Sequence, residues 1–166
     1  GADSVVLCDT NGGSLPWEIE EIVRDVKVQL GNTAIGIHTH DDGGMGDANS
    51  LAAVRAGANQ VQGTINGYGE RVANANLCTV VADLQLKMGM ECVSDENLTK
   101  LTELSRYVAE VANLTHDTQF PFVGANAFAH KGGLHIDALQ FLAPQQAQAG
   151  PLLSAGSVSL DTFEVD

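Results

Sequence analysis

The chain has 166 residues, enough for one domain, and its core is expected to be aliphatic because 44% of the residues are hydrophobic and only 5% aromatic. Acidic residues number 21 against 8 basic ones, and the net charge of −13 argues against nucleic acid or an anionic membrane surface as a partner. Cys8, Cys78 and Cys92 form no CxxC pair and lie in apolar surroundings, which predicts buried, reduced thiols in a cytoplasmic protein without signal peptide or membrane span.

Three strand–loop–helix units are predicted in the first half of the chain. Each begins with an apolar run bounded by turn residues, which is typical of a parallel strand buried on both faces. The strands are expected at 3–8, 34–39 and 60–65 and the helices at 16–30, 47–56 and 74–88, with Ser14 as the cap of the first helix. Short connections between consecutive units predict a parallel α/β sheet.

His38 and His40 lie at the end of the second strand and are followed by Asp41, Asp42 and two glycines. Side chains alternate between the faces of a strand, so the two imidazoles point the same way, with Cα atoms roughly 6.5 Å apart. That spacing allows both rings to bind one metal ion, while Asp41 or Asp42 adds an oxygen ligand or orients a ring. The alternative is a pair of exposed polar residues at a strand end.

Polar residues also follow the other two strands. Thr10 comes directly after the first strand, and the glycine-rich segment 66–74 comes after the third. Ligands of parallel α/β sheets gather at the carboxyl ends of the strands. Three polar clusters at successive strand ends are typical of a barrel whose site lies on its top face.

The sequence pattern changes after Met90, which predicts a division of the chain. Residues 1–92 are expected to form a partial barrel, and residues 93–143 a mostly helical linker subdomain that opens with a long helix capped by Ser94. Residues 144–166 give no assignment. Because the chain opens on Gly1 and enters a strand almost at once, we expect it to be a piece of a longer protein.

Several ordered motifs resemble the 2-isopropylmalate/homocitrate/citramalate synthase family. They lie at 7–13, 38–40, 61–71 and 128–135, and with shorter matches between 48 and 58 the resemblance covers about residues 1–143. Segment 62–68 is most similar to the citramalate synthase branch. The resemblance implies an α/β fold made of the last three βα units of a TIM (β/α)8 barrel, followed by a mostly helical accessory segment.

The same resemblance implies a metal-dependent acyltransferase. It would join the methyl carbon of acetyl-CoA to a 2-oxo acid and then hydrolyse the thioester. Pyruvate is the expected acid, which gives citramalate in branched-chain amino-acid biosynthesis (isoleucine and leucine). The implied cofactor is a divalent metal ion (Zn²⁺, Mn²⁺, Co²⁺ or Mg²⁺), and the full-length protein is expected to be a cytoplasmic homodimer.

The family's metal and substrate positions carry over to four residues of this chain. His38 and His40 match the metal-binding pair, and Asn74 matches a residue on or near the metal. Thr10 matches the threonine that binds the carboxylate of the 2-oxo acid. The structural alternative for both Thr10 and Asn74 is to cap the helix that follows.

Three further residues are candidate catalytic groups. Glu70 and Arg71 belong to the family's Gly-Glu-Arg signature, and the alternative for them is a structural ion pair under the loop. His135 matches a histidine after the barrel that is proposed to assist catalysis and is often lent to the neighbouring subunit.

The chain also departs from the family. Asp41 stands where the family usually has Asn, and Ala73 replaces a glycine; if that position needs φ > 0, the alanine costs about 1 kcal/mol. The family's Asp-Arg-Glu motif, with another metal ligand, does not occur in the sequence, so this fragment is expected to be inactive on its own.

Two other functions stay open. One is a non-catalytic truncated barrel that associates over its open sheet edges. The other is a lyase or carboxyltransferase on a related metal barrel, against which the segment 62–71 argues.

Overall fold

The computed structural model describes residues 2–129, in which strands alternate with helices before helices continue alone. The strands are β1 (Ser4–Asp9), β2 (Ala34–Thr39) and β3 (Gln60–Gln62), and the helices are α1 (Pro16–Leu30), α2 (Gly46–Ala56), α3 (Leu77–Leu86), α4 (Asp95–Leu98) and α5 (Leu101–Val111). Short 3-10 turns lie at Ile65–Gly67 and Ala125–Phe128. The chain divides into two compact units, the first ending at Met88 and the second beginning at Gly89.

The three strands form a parallel sheet in the order β1-β2-β3, which confirms the predicted α/β fold with a partial barrel. Ile37 of β2 is aligned with Leu7 of β1 and with Val61 of β3, so the side chains of these three residues lie on the same face of the sheet. That face packs against apolar residues of α1 and α2 and of the turn that follows α2, namely Ile19, Val23, Ala53, Ala56 and Ala58. Helices α1 and α2 therefore cover one face of the sheet. The strand residues between those named above have their side chains on the other face.

Helix α1 is capped differently from the prediction. Its N-cap is Leu15, and the Glu18 carboxylate accepts a hydrogen bond from the Leu15 N–H at 2.7 Å. The predicted cap, Ser14, is wrong because its hydroxyl donates to the Asp9 carboxylate at 3.1 Å instead. The predicted C-terminal end is confirmed, since Gly31 closes the helix with φ 60°.

Strand β3 and helix α3 are both shorter than predicted. β3 ends at Gln62, and the chain then turns through Asn66, whose φ is 64°. α3 begins after Asn76, whose side-chain oxygen accepts a hydrogen bond from the Cys78 N–H at 3.0 Å. The cap of this helix is therefore Asn76, and the alternative that Asn74 serves as a cap is wrong.

The second unit contains two helices where one long helix was predicted. Ser94 caps α4 as predicted, because its hydroxyl oxygen accepts from the Asn97 N–H at 3.3 Å. The Thr99 hydroxyl donates to the Glu96 carbonyl oxygen at 2.7 Å at the point where α4 ends. Such a local bond competes with the helical backbone pattern, which explains why α5 starts separately at Leu101.

Only one of the three free cysteines is buried. Cys78 lies in the core, whereas Cys8 and Cys92 are exposed, so the prediction of buried thiols holds for Cys78 alone. Cys8 is exposed because it alternates with Leu7 along β1 and so points away from the helices. Within residues 2–129, no helix has the length and apolar character needed to cross a bilayer.

Candidate metal and substrate site

His38 and His40 lie side by side at the carboxyl end of β2. Thr39 between them is fully buried, and its hydroxyl donates to the Gly46 carbonyl oxygen at 2.8 Å. Thr39 therefore points towards α2, which leaves both histidines on the opposite face. The centroids of the two imidazole rings are 5.2 Å apart, with an angle of 63° between the ring planes.

Asn74 is joined to His40 through the backbone. The two residues form an antiparallel bridge. Two hydrogen bonds flank it, from the Asp41 N–H to the Ala73 carbonyl oxygen at 2.9 Å and from the Ala75 N–H to the Thr39 carbonyl oxygen at 3.1 Å. The loop after β3 thus brings Asn74 beside the histidine pair. Ala73 has no positive φ, so the strain expected at this position is absent.

Two buried polar atoms at this place have no hydrogen-bond partner among the described residues, His40 Nδ1 and Asn74 Oδ1. Buried polar atoms are nearly always paired, so two unpaired ones on neighbouring residues fit a bound group. An imidazole nitrogen and an amide oxygen are both ligands of divalent cations. No three or more His, Cys, Asp or Glu side chains within residues 2–129 are arranged to hold a metal ion, so the donors here are two imidazoles and one amide.

Asp41 and Asp42 have other partners. The Asp41 carboxylate accepts from the Gly46 N–H at 2.6 Å and so closes the start of α2. The Asp42 carboxylate accepts two hydrogen bonds from Arg71, from Nε to Oδ1 at 2.8 Å and from Nη2 to Oδ2 at 2.8 Å. This bidentate contact holds the pKa of Asp42 below its ordinary value and raises the pKa of Arg71.

Thr10 contacts the same Arg71 nitrogen, Nη2, that binds Asp42 Oδ2. Its carbonyl oxygen accepts a hydrogen bond from Arg71 Nη2 at 2.6 Å, and the residue is exposed. The alternative that Thr10 caps the first helix is wrong, since Leu15 is the N-cap of α1. Its binding of a carboxylate stays a prediction.

Glu70 makes only a long contact with Arg71. Its carboxylate is 3.9 Å from Arg71 Nη1, and its side chain is 79% exposed, so the main partner of Arg71 is Asp42 rather than Glu70. The catalytic roles of Glu70 and Arg71 stay predictions. The third candidate catalytic group, His135, lies outside the described residues.

Residues 1–108 match the HMGL-like family. The chain belongs to the HMGL-like family. It is 56% identical over 139 residues to an (R)-citramalate synthase of Aquifex aeolicus, a match that covers 84% of this chain and 26% of that protein. An (R)-citramalate synthase of Synechocystis is 53% identical over 147 residues, with 84% and 27% covered. These relatives confirm the resemblance to the 2-isopropylmalate/homocitrate/citramalate synthases.

A solved structure of an HMG-CoA lyase from Acinetobacter baumannii, in complex with coenzyme A and 3-methylmalate, is also similar to this HMGL-like chain. Its TM-score is 0.64 at 25% identity, and the match covers 80% of this chain and 44% of the lyase. This likeness supports the partial-barrel fold. The chain spans about a quarter of the length of the two synthases (26% and 27%).

Two features of the HMGL-like site do not follow from the local sequence pattern. The contact between Asp42 and Arg71 joins residues that lie 29 positions apart, and only their opposite charges at neighbouring strand ends hint at it. The second feature is the Tyr68 hydroxyl, which is buried and has no hydrogen-bond partner among the described residues. Tyr68 also accepts a hydrogen bond at its carbonyl oxygen from the Asn74 amide at 3.4 Å.

Proposed function

We propose that this chain is part of the catalytic barrel of a metal-dependent acyltransferase that condenses acetyl-CoA with a 2-oxo acid, with pyruvate as the first candidate. The observation that supports it most is the pair of histidine rings, 5.2 Å apart, next to His40 Nδ1 and Asn74 Oδ1, which have no hydrogen-bond partner within residues 2–129. The sequence relationship to (R)-citramalate synthases supports the choice of pyruvate.

In this proposal His38, His40 and Asn74 hold a divalent metal ion. When bound, such an ion polarises a carbonyl group as a Lewis acid. The two imidazoles fix the position of the cation, and their nitrogen atoms favour Zn²⁺, Mn²⁺ or Co²⁺ over Mg²⁺, which prefers more oxygen ligands. Ligands outside residues 2–129 would complete the coordination.

Thr10 supplies the contact to the substrate in this proposal. It lies at the end of β1, the strand next to the one that carries His38, and its exposed position allows its hydroxyl to donate to a carboxylate. A 2-oxo acid that binds there would present its keto oxygen towards the neighbouring strand end. Glu70 and His135 remain candidates for moving protons in the reaction.

The metal site can be tested on the chain itself. We expect Co²⁺ or Zn²⁺ to bind, and His38→Ala to weaken the binding at least ten-fold, because it removes one of two nitrogen ligands. His116→Ala is the control, since His116 belongs to the second unit and contacts the Ser105 hydroxyl at 2.7 Å. Equal binding by the wild type and His38→Ala would refute the metal site.

A lyase that uses the same histidine pair is the second candidate. The observation that favours it is the likeness to the solved HMG-CoA lyase, at 25% identity. The 56% identity to a citramalate synthase favours the condensation. An assay of a longer protein that contains this chain separates the two: release of free coenzyme A from acetyl-CoA and pyruvate supports the synthase, whereas cleavage of a 3-hydroxyacyl-CoA supports the lyase.

A further inference from the structure

One guanidinium connects the loops that follow all three strands. Arg71, in the loop after β3, donates two hydrogen bonds to Asp42, in the loop after β2, at 2.8 Å each. The same side chain donates to the Thr10 carbonyl oxygen, after β1, at 2.6 Å. Resting on the function proposed above, we propose that Asp42 and Arg71 are a positioning pair that fixes Thr10 relative to His40 and Asn74.

The loop after β1 is packed directly onto Asp42. Gly12 has φ +61°, and a Cβ atom placed there would lie 2.7 Å from Asp42 Oδ2 and 2.8 Å from the Asp42 nitrogen. The Gly43 N–H donates to the Gly12 carbonyl oxygen at 2.8 Å across the same contact. The first two loops thus touch at backbone distance, and Asp42 presents its carboxylate at that junction.

The loop after β3 holds Arg71 in an unfavourable backbone conformation. Its φ is 59°, in the left-handed region that is unfavourable for a residue with a Cβ. Such a conformation persists only when the surroundings fix it, and here three hydrogen bonds from the side chain do so. Glu70 does not replace this anchor, because its carboxylate is 3.9 Å from Arg71 and largely exposed.

The pair is close in sequence to both kinds of candidate ligand. Asp42 follows His40 by two residues, and Arg71 precedes Asn74 by three. Two backbone hydrogen bonds, between residues 41 and 73 and between residues 75 and 39, join the loops beside this pair. Loss of the bidentate contact should therefore displace Asn74 and His40 relative to each other and release Thr10.

Substitutions that preserve the charge of each residue distinguish a geometric role of the pair from simple electrostatic attraction. Arg71→Lys retains the cation but not the planar fork that binds a carboxylate at two points, and Asp42→Glu retains the anion at a different length. Arg55→Lys is the matched control, since Arg55 also bonds a carboxylate, Glu20, in the same unit. We expect Arg71→Lys and Asp42→Glu each to weaken Co²⁺ binding about ten-fold and to change the Co²⁺ absorption bands.

Two further measurements keep this inference distinct from the proposed function. The double variant should bind Co²⁺ no more weakly than either single variant, because both remove one contact. In the metal-free chain, the amide protons of Asp41 and Gly43 should exchange with solvent faster in Arg71→Lys than in the wild type or Arg55→Lys, at temperatures well below the unfolding midpoints.

The results distinguish an error in the proposed metal site from an error in the positioning pair. If the wild type fails to bind Co²⁺, the proposed metal site is wrong, and the pair is then judged by amide exchange alone. Unchanged exchange at Asp41 and Gly43 in Arg71→Lys would overturn the positioning pair, as would Co²⁺ binding equal to that of the wild type in both charge-conserving variants.

Discussion

The Asp47 carboxyl lies in the first turn of α2 and accepts a hydrogen bond from the Asn76 N–H at 2.6 Å. Burial raises its pKa from 3.8 to about 6, and the nearby charges of Asp41 and Asp83 act in the same direction. The folded chain therefore binds this proton more tightly than the unfolded chain. Protonation of Asp47 therefore stabilises the folded state, and this contribution is complete below pH 3.8 and is lost as the pH rises to about 6.

Asp47→Asn should remove this pH dependence. The amide oxygen still accepts from the Asn76 N–H, but no buried charge forms. We expect the free energy of unfolding in urea to fall less between pH 4 and pH 7 in Asp47→Asn than in the wild type, and the variant to be at least as stable at pH 7. Asp25→Asn, at an exposed position of α1, is the control. An identical pH profile of wild type and Asp47→Asn would contradict the expected protonation.

Gly12 and Gly13 are adjacent but differ in what surrounds them. Gly12 has φ +61° and faces Asp42 at 2.7 Å from an added Cβ, whereas nothing lies within 4 Å of a Cβ at Gly13. We expect Gly12→Ala to lower the free energy of unfolding by about 1–3 kcal/mol and Gly13→Ala to change it by less than about 0.5 kcal/mol. Chemical denaturation of both variants measures this, and equal stabilities would contradict the close approach of the loop to Asp42.

Alanine variants of Asn74 and Asn76 distinguish a metal ligand from the N-cap of α3. Asn76→Ala removes the cap that accepts from the Cys78 N–H, so the free energy of unfolding should fall by about 1 kcal/mol. Asn74→Ala removes an Oδ1 that no described residue pairs and a weak 3.4 Å bond, so stability should change by less than about 0.5 kcal/mol while Co²⁺ affinity falls. A larger loss of stability in Asn74→Ala than in Asn76→Ala would reverse the assignment.

The elements that were predicted correctly depend on local signals. Apolar spacing followed by glycine predicts the ends of α1 and α2, and Gly31 and Gly57 do occupy those C-caps. The predicted element ends are wrong where a contact between residues distant in sequence, or a side-chain hydrogen bond, sets the end of the element. α3 starts late because the Thr64 N–H bonds the Ala75 carbonyl oxygen at 3.0 Å, which keeps the preceding residues extended. The break before α5 coincides with the hydrogen bond from the Thr99 hydroxyl to the Glu96 carbonyl oxygen.

At the scale of the molecule, the sequence predicts part of the candidate site and the topology supplies the rest. The pleat alone places His38 and His40 on one face, because alternation is a property of every strand. The position of Asn74 beside His40 requires the loop after β3 to fold back on β2, and no sequence period encodes that. The pairing of Arg71 with Asp42 instead of Glu70 likewise depends on which loops the parallel sheet brings together.

The chain alone should not turn over substrate. Within residues 2–129 the candidate metal donors are two imidazoles and one amide, and the match to an (R)-citramalate synthase covers only 26% of that protein. Two or three ligands bind a divalent ion less firmly than the four to six that such ions usually take in proteins. We expect coenzyme A release from acetyl-CoA, pyruvate and Mn²⁺ to stay at background for the 166-residue chain and to appear in a longer protein that contains it. In that longer protein, His38→Ala should abolish the release, whereas Arg55→Lys should preserve it. Turnover by the isolated chain would mean that its 166 residues already hold a complete site.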